Sequence, residues 1–284
     1  MGESGSSEWS GDMARVLCQR YGLALVAVSA QGSDRSALVA HVHDQEGRHF
    51  VLKRTTPERG PSEIAALRAW SNTGCAARLV AVLEDDLYLA DWLIGPSLAE
   101  TSVWEDRDVV AAGRMIAGLH AALLPADLPD ICNRFTLSSD RDWSLLPAGM
   151  RALGVRVNAR LCAGAATHSA LLHGDLVPGN VILSPSGPQA IDPFGYAGLP
   201  SWDLAQLAVA TEGRSRRRLL PALLTGYGSI PPLLADAFSW MILFFLHKNV
   251  ADHRTEFRAN LQPLAERLIT VNDPDAFLDQ YCKT

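Results

Sequence analysis

Apolar and polar positions in this chain keep one rhythm up to about residue 93 and another beyond Gly95. Short β-rich runs dominate the first part. Residues 37–43 read as a strand, Asp44-Gln45-Glu46-Gly47 as a turn, and 48–53 (RHFVLK) as a second strand whose alternation puts Val51 and Lys53 on one face. Pro61-Ser62-Glu63-Ile64 opens a helix running to about Ser71, with Gly74 as its stop signal; Glu63, Leu67 and Trp70 share one of its faces. A strand pair at 79–84 and 87–93 turns at Asp85-Asp86. Farther on the spacing becomes helical: over 108–123, Val109, Ala112, Ile116, Leu119 and Leu123 form one apolar stripe, which predicts the central helix of the larger part. Further helices are predicted at 145–164, 202–210, 216–224, 233–249 and 255–269. His120, on the 108–123 helix, is expected to pack or cap rather than to ligate.

The stretch 171–205, LLHGDLVPGNVILSPSGPQAIDPFGYAGLPSWDLA, interrupts the helical rhythm. His173-Gly174-Asp175 follows an apolar run and precedes Pro178-Gly179, so Asp175 belongs on a loop leaving buried structure, where a carboxylate can reach a substrate. Asn180 opens Val181-Ile182-Leu183. That run, the turn Ser184-Pro185-Ser186-Gly187 and the run ending at Ile191 predict a β-hairpin with a four-residue connection. A hairpin brings its outer ends together, which makes Asn180 and Asp192 neighbours. Two oxygen-bearing side chains so placed suit Mg²⁺, a cation that takes one or two carboxylates and completes its shell with phosphate and water. Asp175 is then left to orient and deprotonate an attacking hydroxyl. Each piece alone is weak, since HGD is common in turns and Asp-Pro more often marks a turn than a ligand; the ordered combination carries the reading.

Asp175 and Asn180 match the kinase H-x-D-x-x-x-x-N loop, and Asp192 stands where protein kinases carry their metal-binding aspartate. The form HGDxxPGN followed by IDP resembles the aminoglycoside phosphotransferase family. More narrowly, Asp192-Pro193, Gly195, Gly198, Pro200 and Asp203-Leu204-Ala205 resemble the branch containing streptomycin 6-phosphotransferases and hydroxyurea phosphotransferases. Val177 stands where many relatives carry His. The resemblance implies an α+β, bilobal, protein-kinase-like fold. Its small β-rich N-lobe would span residues 1–94, with a flexible tail at 1–10, and its larger, mainly helical C-lobe residues 95–284. It implies ATP or GTP with Mg²⁺ as cofactors, Asn180 and Asp192 on the metal, and Lys53 paired with Glu63 to neutralise the α- and β-phosphates. The loop at 29–36 holds one glycine and no G-x-G-x-x-G. Its backbone N–H groups and the Ser33 and Ser36 hydroxyls are candidate phosphate contacts, with a plain hairpin connection as the alternative. Ala90-Asp91-Trp92-Leu93 falls where a kinase hinge presents its backbone to adenine, which makes Ala90 and Trp92 candidate nucleotide contacts.

Length and composition fit two lobes sharing one cleft: 284 residues, 48% hydrophobic and 20% charged, describe a folded chain with ample core. No signal-peptide pattern opens the chain, the longest apolar run (241–246) is too short to span a bilayer, and five scattered cysteines fit reduced thiols. The expectation is a cytoplasmic enzyme with no membrane partner. The basic cluster at 214–218 invites a nucleic-acid reading, but 25 Lys+Arg against 31 Asp+Glu leave a net charge of −6 that repels a polyanion. That charge attracts cations instead. Glu212, Asp236, Asp252 and Glu256 are candidate contacts for a polyamine-bearing acceptor such as an aminoglycoside or a cyclic peptide of the capreomycin or viomycin type, although any one of them also reads as a surface charge. Asp203 is expected to brace the catalytic region from a helix start. A small neutral acceptor such as hydroxyurea and a catalytically inactive drug-binding protein are the alternatives. A protein kinase is disfavoured, because ten positions from Asp192 to the helix at Trp202 leave no activation segment and Pro193 replaces the usual aromatic.

Overall fold

The computed structural model describes residues 4–29, 38–101, 105–132, 146–215, 217–251 and 255–283. Its N-terminal part is a five-stranded antiparallel sheet of order β1-β2-β3-β5-β4, built from β1 (Ala24–Ser29), β2 (Leu38–His43), β3 (His49–Arg54), β4 (Leu79–Glu84) and β5 (Leu87–Asp91). Alternation decides its two faces. Ala40, Val42, Phe50, Leu52, Leu87 and Leu89 point one way and bury against Ala14, Leu17 and Cys18 of helix α1 (Ser4–Tyr21). Tyr88 and Ala90 point the other way and pack against Ile64 and Leu67 of α2 (Gly60–Trp70). The start of the chain therefore departs from the expected tail, because it is helical from Ser4. Gly and Ser are poor helix formers, but Ala14, Leu17 and Cys18 at helical spacing dock the element, and tertiary burial overrides propensity.

The larger part is helical: α3 (Asp106–His120), α4 (Ala148–Ala165), α5 (Ser201–Ser215), α6 (Leu220–Tyr227), α7 (Leu234–Ala251), α8 (Thr255–Val271) and α9 (Pro274–Lys283). Residues 201–213 of α5 and Leu234 to Leu246 of α7 are all buried, buried polar side chains such as Asp203, Gln206, Glu212 and Asp236 included, so these two helices form the centre of the core. Helix α3 ends at His120, so Leu123 lies beyond its stripe and is 88% exposed. Helix α9 has no counterpart among the predicted elements. Its Phe277 and Tyr281 are buried against Phe238 of α7. Among the described residues no helix is long and apolar enough to cross a membrane.

Two small sheets hold the segment between the parts: β6 (Ala170–Leu172) pairs with β9 (Tyr196–Gly198), and β7 (Val181–Ser184) with β8 (Gly187–Ala190). The β7–β8 hairpin forms as predicted, although Ser184 pairs with Gly187, so its connection is two residues rather than four. Backbone bonds tie it to the rest of the chain on both sides: Ala77 N–H to Ala190 O (2.9 Å) and Ala190 N–H to Cys75 O (2.8 Å) on one, Leu98 N–H to Val181 O (2.8 Å) on the other. The fold is thus mixed α and β, with a β-rich sheet leading into a helical body.

Candidate active site

Lys53 enters the cleft from β3, on the face opposite α1, and is buried. Its Nζ forms ion pairs with Glu63 of α2 and with Asp192 just beyond β8. A buried ammonium is tolerated because two carboxylates share it. Glu63 is fully buried and is held in turn by the Tyr88 hydroxyl, which donates to its Oε1 at 2.5 Å, and by the Arg59 guanidinium at 3.9 Å.

Asp192 has φ +58, a left-handed conformation that costs a non-glycine residue about 1–2 kcal/mol. The turn takes the chain off the line of β8 as its carboxylate meets Lys53. Burial pushes its pKa upward, but the charge and hydrogen bond of Lys53, with Arg59 and His173 adding to them, hold it below the usual carboxylate value. Three residues later the backbone passes so close to α2 that a Cβ on Gly195 would lie 2.2 Å from Ser62 O, and its φ of +71 lies in the left-handed region that favours glycine. The Ser62 hydroxyl donates to Phe194 O at 2.8 Å, and the Arg59 guanidinium lies 3.6 Å from the centre of the Phe194 ring. The start of α2, which carries Glu63, is therefore fastened to the segment that carries Asp192.

Asp175 lies on the loop after β6, near a short 3-10 turn at Pro178–Asn180. The Asn180 amide donates to Asp175 O at 2.8 Å and to its Oδ2 at 3.3 Å, while Gln206 Nε2 reaches Oδ1 at 3.5 Å. Those bonds spend the nitrogen of Asn180 and leave Oδ1 as the atom a hard cation would take. The Ile191 N–H donates to Asn180 O at 3.0 Å, so Asn180 and Asp192 do lie at the joined ends of the hairpin. An amide oxygen and a carboxylate there fit Mg²⁺, which needs few protein ligands when phosphates supply the rest. Among the described residues no group of three or more His, Cys, Asp or Glu forms a closed metal cage.

His173 connects these parts, and its tautomer follows from its partners: Nε2 donates to Ile191 O at 2.8 Å, and Nδ1 accepts the Asp175 N–H at 3.2 Å. Asp203, at the start of α5, accepts the His173 N–H (2.8 Å), the Gly174 N–H (3.0 Å) and His120 Nε2 (3.1 Å), which realises the expected brace. His120 therefore orients Asp203 rather than packing or capping only, and its Nδ1 lies 3.1 Å from the Tyr227 hydroxyl. Sequence reasoning missed Gln206, whose Oε1 also accepts the Leu176 N–H at 3.1 Å. Its position three residues after Asp203, one helical turn on, was the available signal.

The remaining candidates scatter. Ala90 is the last residue but one of β5, opposite Val51, and Trp92 follows that strand with its ring stacked on His41. Glu212 is buried and accepts the Tyr281 hydroxyl; burial pushes its pKa up. Asp236 is likewise buried, paired with Arg160 and raised by burial. Both are engaged inside the helical packing, and Glu256 is exposed on α8, so these carboxylates do not line one surface. Ser33, Ser36 and Asp252 lie outside the described residues.

The model of the phosphotransferase enzyme family matches residues 28–239. The probable ketoamine kinase YniA of Escherichia coli K12 is 46% identical over 66 residues, which are 23% of this chain and 21% of that protein, so the match spans about a fifth of the relative's length. The choline kinase LicA from Streptococcus pneumoniae aligns at a TM-score of 0.63 and 17% identity, covering 92% of this chain and 99% of its own. A thermostable mutant of aminoglycoside phosphotransferase APH(4)-Ia aligns at 0.56 and 15% identity, covering 91% and 98%. At such identities the structural matches establish the fold, which is the bilobal kinase-like one.

Proposed function

This chain belongs to the phosphotransferase enzyme family, and we propose that it moves the γ-phosphoryl group of ATP or GTP to a hydroxyl of a small, amine-bearing molecule. The observation that carries this reading is the convergence of Lys53, Glu63 and Asp192 from three separate elements, beside a loop that holds Asp175 and Asn180. In it Lys53 neutralises the nucleotide phosphates, Glu63 fixes the ammonium, and Asn180 Oδ1 with Asp192 would hold Mg²⁺. When bound, that ion supplies positive charge to the phosphate oxygens. Asp175 receives the proton of the attacking hydroxyl, with its orientation set by Asn180 and Gln206. The N-lobe of this reading is residues 1–94 and the C-lobe 95–284.

For the acceptor we carry forward a cationic antibiotic, an aminoglycoside or a cyclic peptide of the capreomycin or viomycin type, supported by the net charge of −6. A ketoamine is the second reading, favoured by the 46% identity with YniA over 66 residues. A screen of these acceptors, with hydroxyurea as the neutral member, separates them by nucleotide turnover and by mass spectrometry for one added phosphate. No turnover with any acceptor, despite tight drug binding, would favour the inactive binding protein.

Calorimetry tests the nucleotide site itself. Asp192→Ala should abolish the Mg²⁺-dependent part of ATP binding more completely than Lys53→Ala, because it removes both a charge and the metal's seat. Equal enhancement by Mg²⁺ in parent and Asp192→Ala would remove Asp192 from the metal.

A further inference from the structure

Directly opposed residues in an antiparallel ladder share a face. The row Val39, Lys53 and Tyr88 is therefore followed outward by His41, Val51 and Ala90, and then by His43 and His49. Trp92 adjoins that last row through its N–H to His49 O at 3.4 Å. This is the face that α1 leaves uncovered: Val39, His41, His43 and Val51 are half-buried, His49 is exposed and Trp92 is 42% exposed. Two residues of strand separate Lys53 from Val51, about 7 Å, which is the span a ribose needs between phosphates at Lys53 and a base beside His41 and Val51; Ala90, in the same row, is buried against α2.

The Trp92 indole lies on the His41 imidazole with ring centres 3.7 Å apart and planes within 5°. That is the arrangement of two stacked bases, and it stands on the row where a base would fit. His41 is steadied at its edge by His49, Nε2 to Nδ1 at 2.8 Å. Trp92 is held less firmly: it lies past the end of β5, and its backbone bond is long.

We infer that His41 is the stacking platform for the nucleotide base and that Trp92 competes with the base for it, so that binding displaces the indole. The inference rests on the phosphotransferase reading and adds a base subsite to it. Base–aromatic stacking is at least as strong as an indole–imidazole pair, so the base wins at saturation, while the competition weakens apparent affinity by a factor of about two to ten.

The test is calorimetric titration of Mg-ATP, and of Mg-tripolyphosphate, which has no base, into the parent, Trp92→Ala and Trp92→Ala/His41→Ala. Neither side chain is fully buried, so both variants should fold, with unfolding midpoints as the control. Trp92→Ala should bind ATP about two- to tenfold more tightly and tripolyphosphate as the parent does. Adding His41→Ala should cancel the gain for ATP and leave tripolyphosphate unchanged. Weaker or parent-like ATP binding by Trp92→Ala, an equal gain with tripolyphosphate, or a gain that survives loss of His41 would each overturn the inference while the phosphotransferase reading stands. A parent chain that binds neither ligand would overturn both.

Discussion

Two aspartates on neighbouring segments do opposite work. Asp175 would meet the substrate, and Asp175→Asn should keep fold and nucleotide binding while lowering turnover by ~10²–10⁴; near-normal turnover in steady-state assays would exclude it as the proton acceptor. Asp203 meets no substrate, but its two oxygens hold the His173 and Gly174 N–H groups and His120. Burial favours its neutral form, yet those bonds, the one from His120 first among them, prevail and hold its pKa below the usual value. The folded state therefore binds this proton less readily than the unfolded chain. Its contribution to stability is complete above the unfolded value of about 3.9 and drains away as pH falls through the folded one. Asp203→Asn should cost about 1–3 kcal/mol at neutral pH, because a donor then faces donors. In urea titrations against pH the gap between parent and variant should close below about pH 4. A gap that stays constant into acid would show that the charge of Asp203 is not what stabilises the loop.

At the scale of elements, α3 and α6 cross with their backbones almost touching. A Cβ on Gly226 would lie 1.9 Å from Val110 O, and one on Gly113 would lie 2.1 Å from Leu223 O. This contact sets Tyr227, whose hydroxyl meets His120, which meets Asp203, which holds the loop at His173 and Gly174. Gly→Ala in an open helix gains about 1 kcal/mol from propensity. Here the sign should reverse: Gly226→Ala should lose about 1–3 kcal/mol to overpacking, measured by chemical unfolding, and should lower turnover as well. A stabilised variant would mean that the helices can separate without disturbing the site.

Over the whole molecule the net charge of −6 acts at a distance, whichever carboxylates touch the acceptor. With Glu212 and Asp236 engaged inside the helical part, attraction of a cation falls to exposed acids such as Glu256 and to the overall field. Exposed charges are screened by salt. A cationic acceptor's KM should therefore rise clearly between low salt and about 0.5 M, and the KM for ATP, clamped within the cleft, should change less. Initial rates in a salt series at saturating Mg-ATP decide this, and a flat acceptor KM would move the assignment to a small neutral substrate.

What the sequence determined on its own was local. The strand pair at 79–84 and 87–93, the second of which ends at Asp91, the hairpin after Asn180 and the helices around Val109 and Phe238 are set by periodicity and turn residues, and these are properties of short stretches. Even the bond between Ile191 and Asn180 at the open end of the hairpin, with Asp192 next in the chain, follows from local pattern, so it was legible. The likeness of the 171–205 segment to a known family supplied the kinase-like arrangement and the pairing of Lys53 with Glu63. Only the tertiary structure decided the rest. Helix α1 docks because a hydrophobic stripe at Ala14, Leu17 and Cys18 has a sheet to cover, and β6 and β9 are too short to announce themselves. Tertiary packing turned Glu212 and Asp236 inward, joined His120 to Asp203, and laid Trp92 on His41. Those contacts join positions 51 to 83 residues apart, and a carboxylate or a ring in sequence carries no sign of which distant partner will reach it.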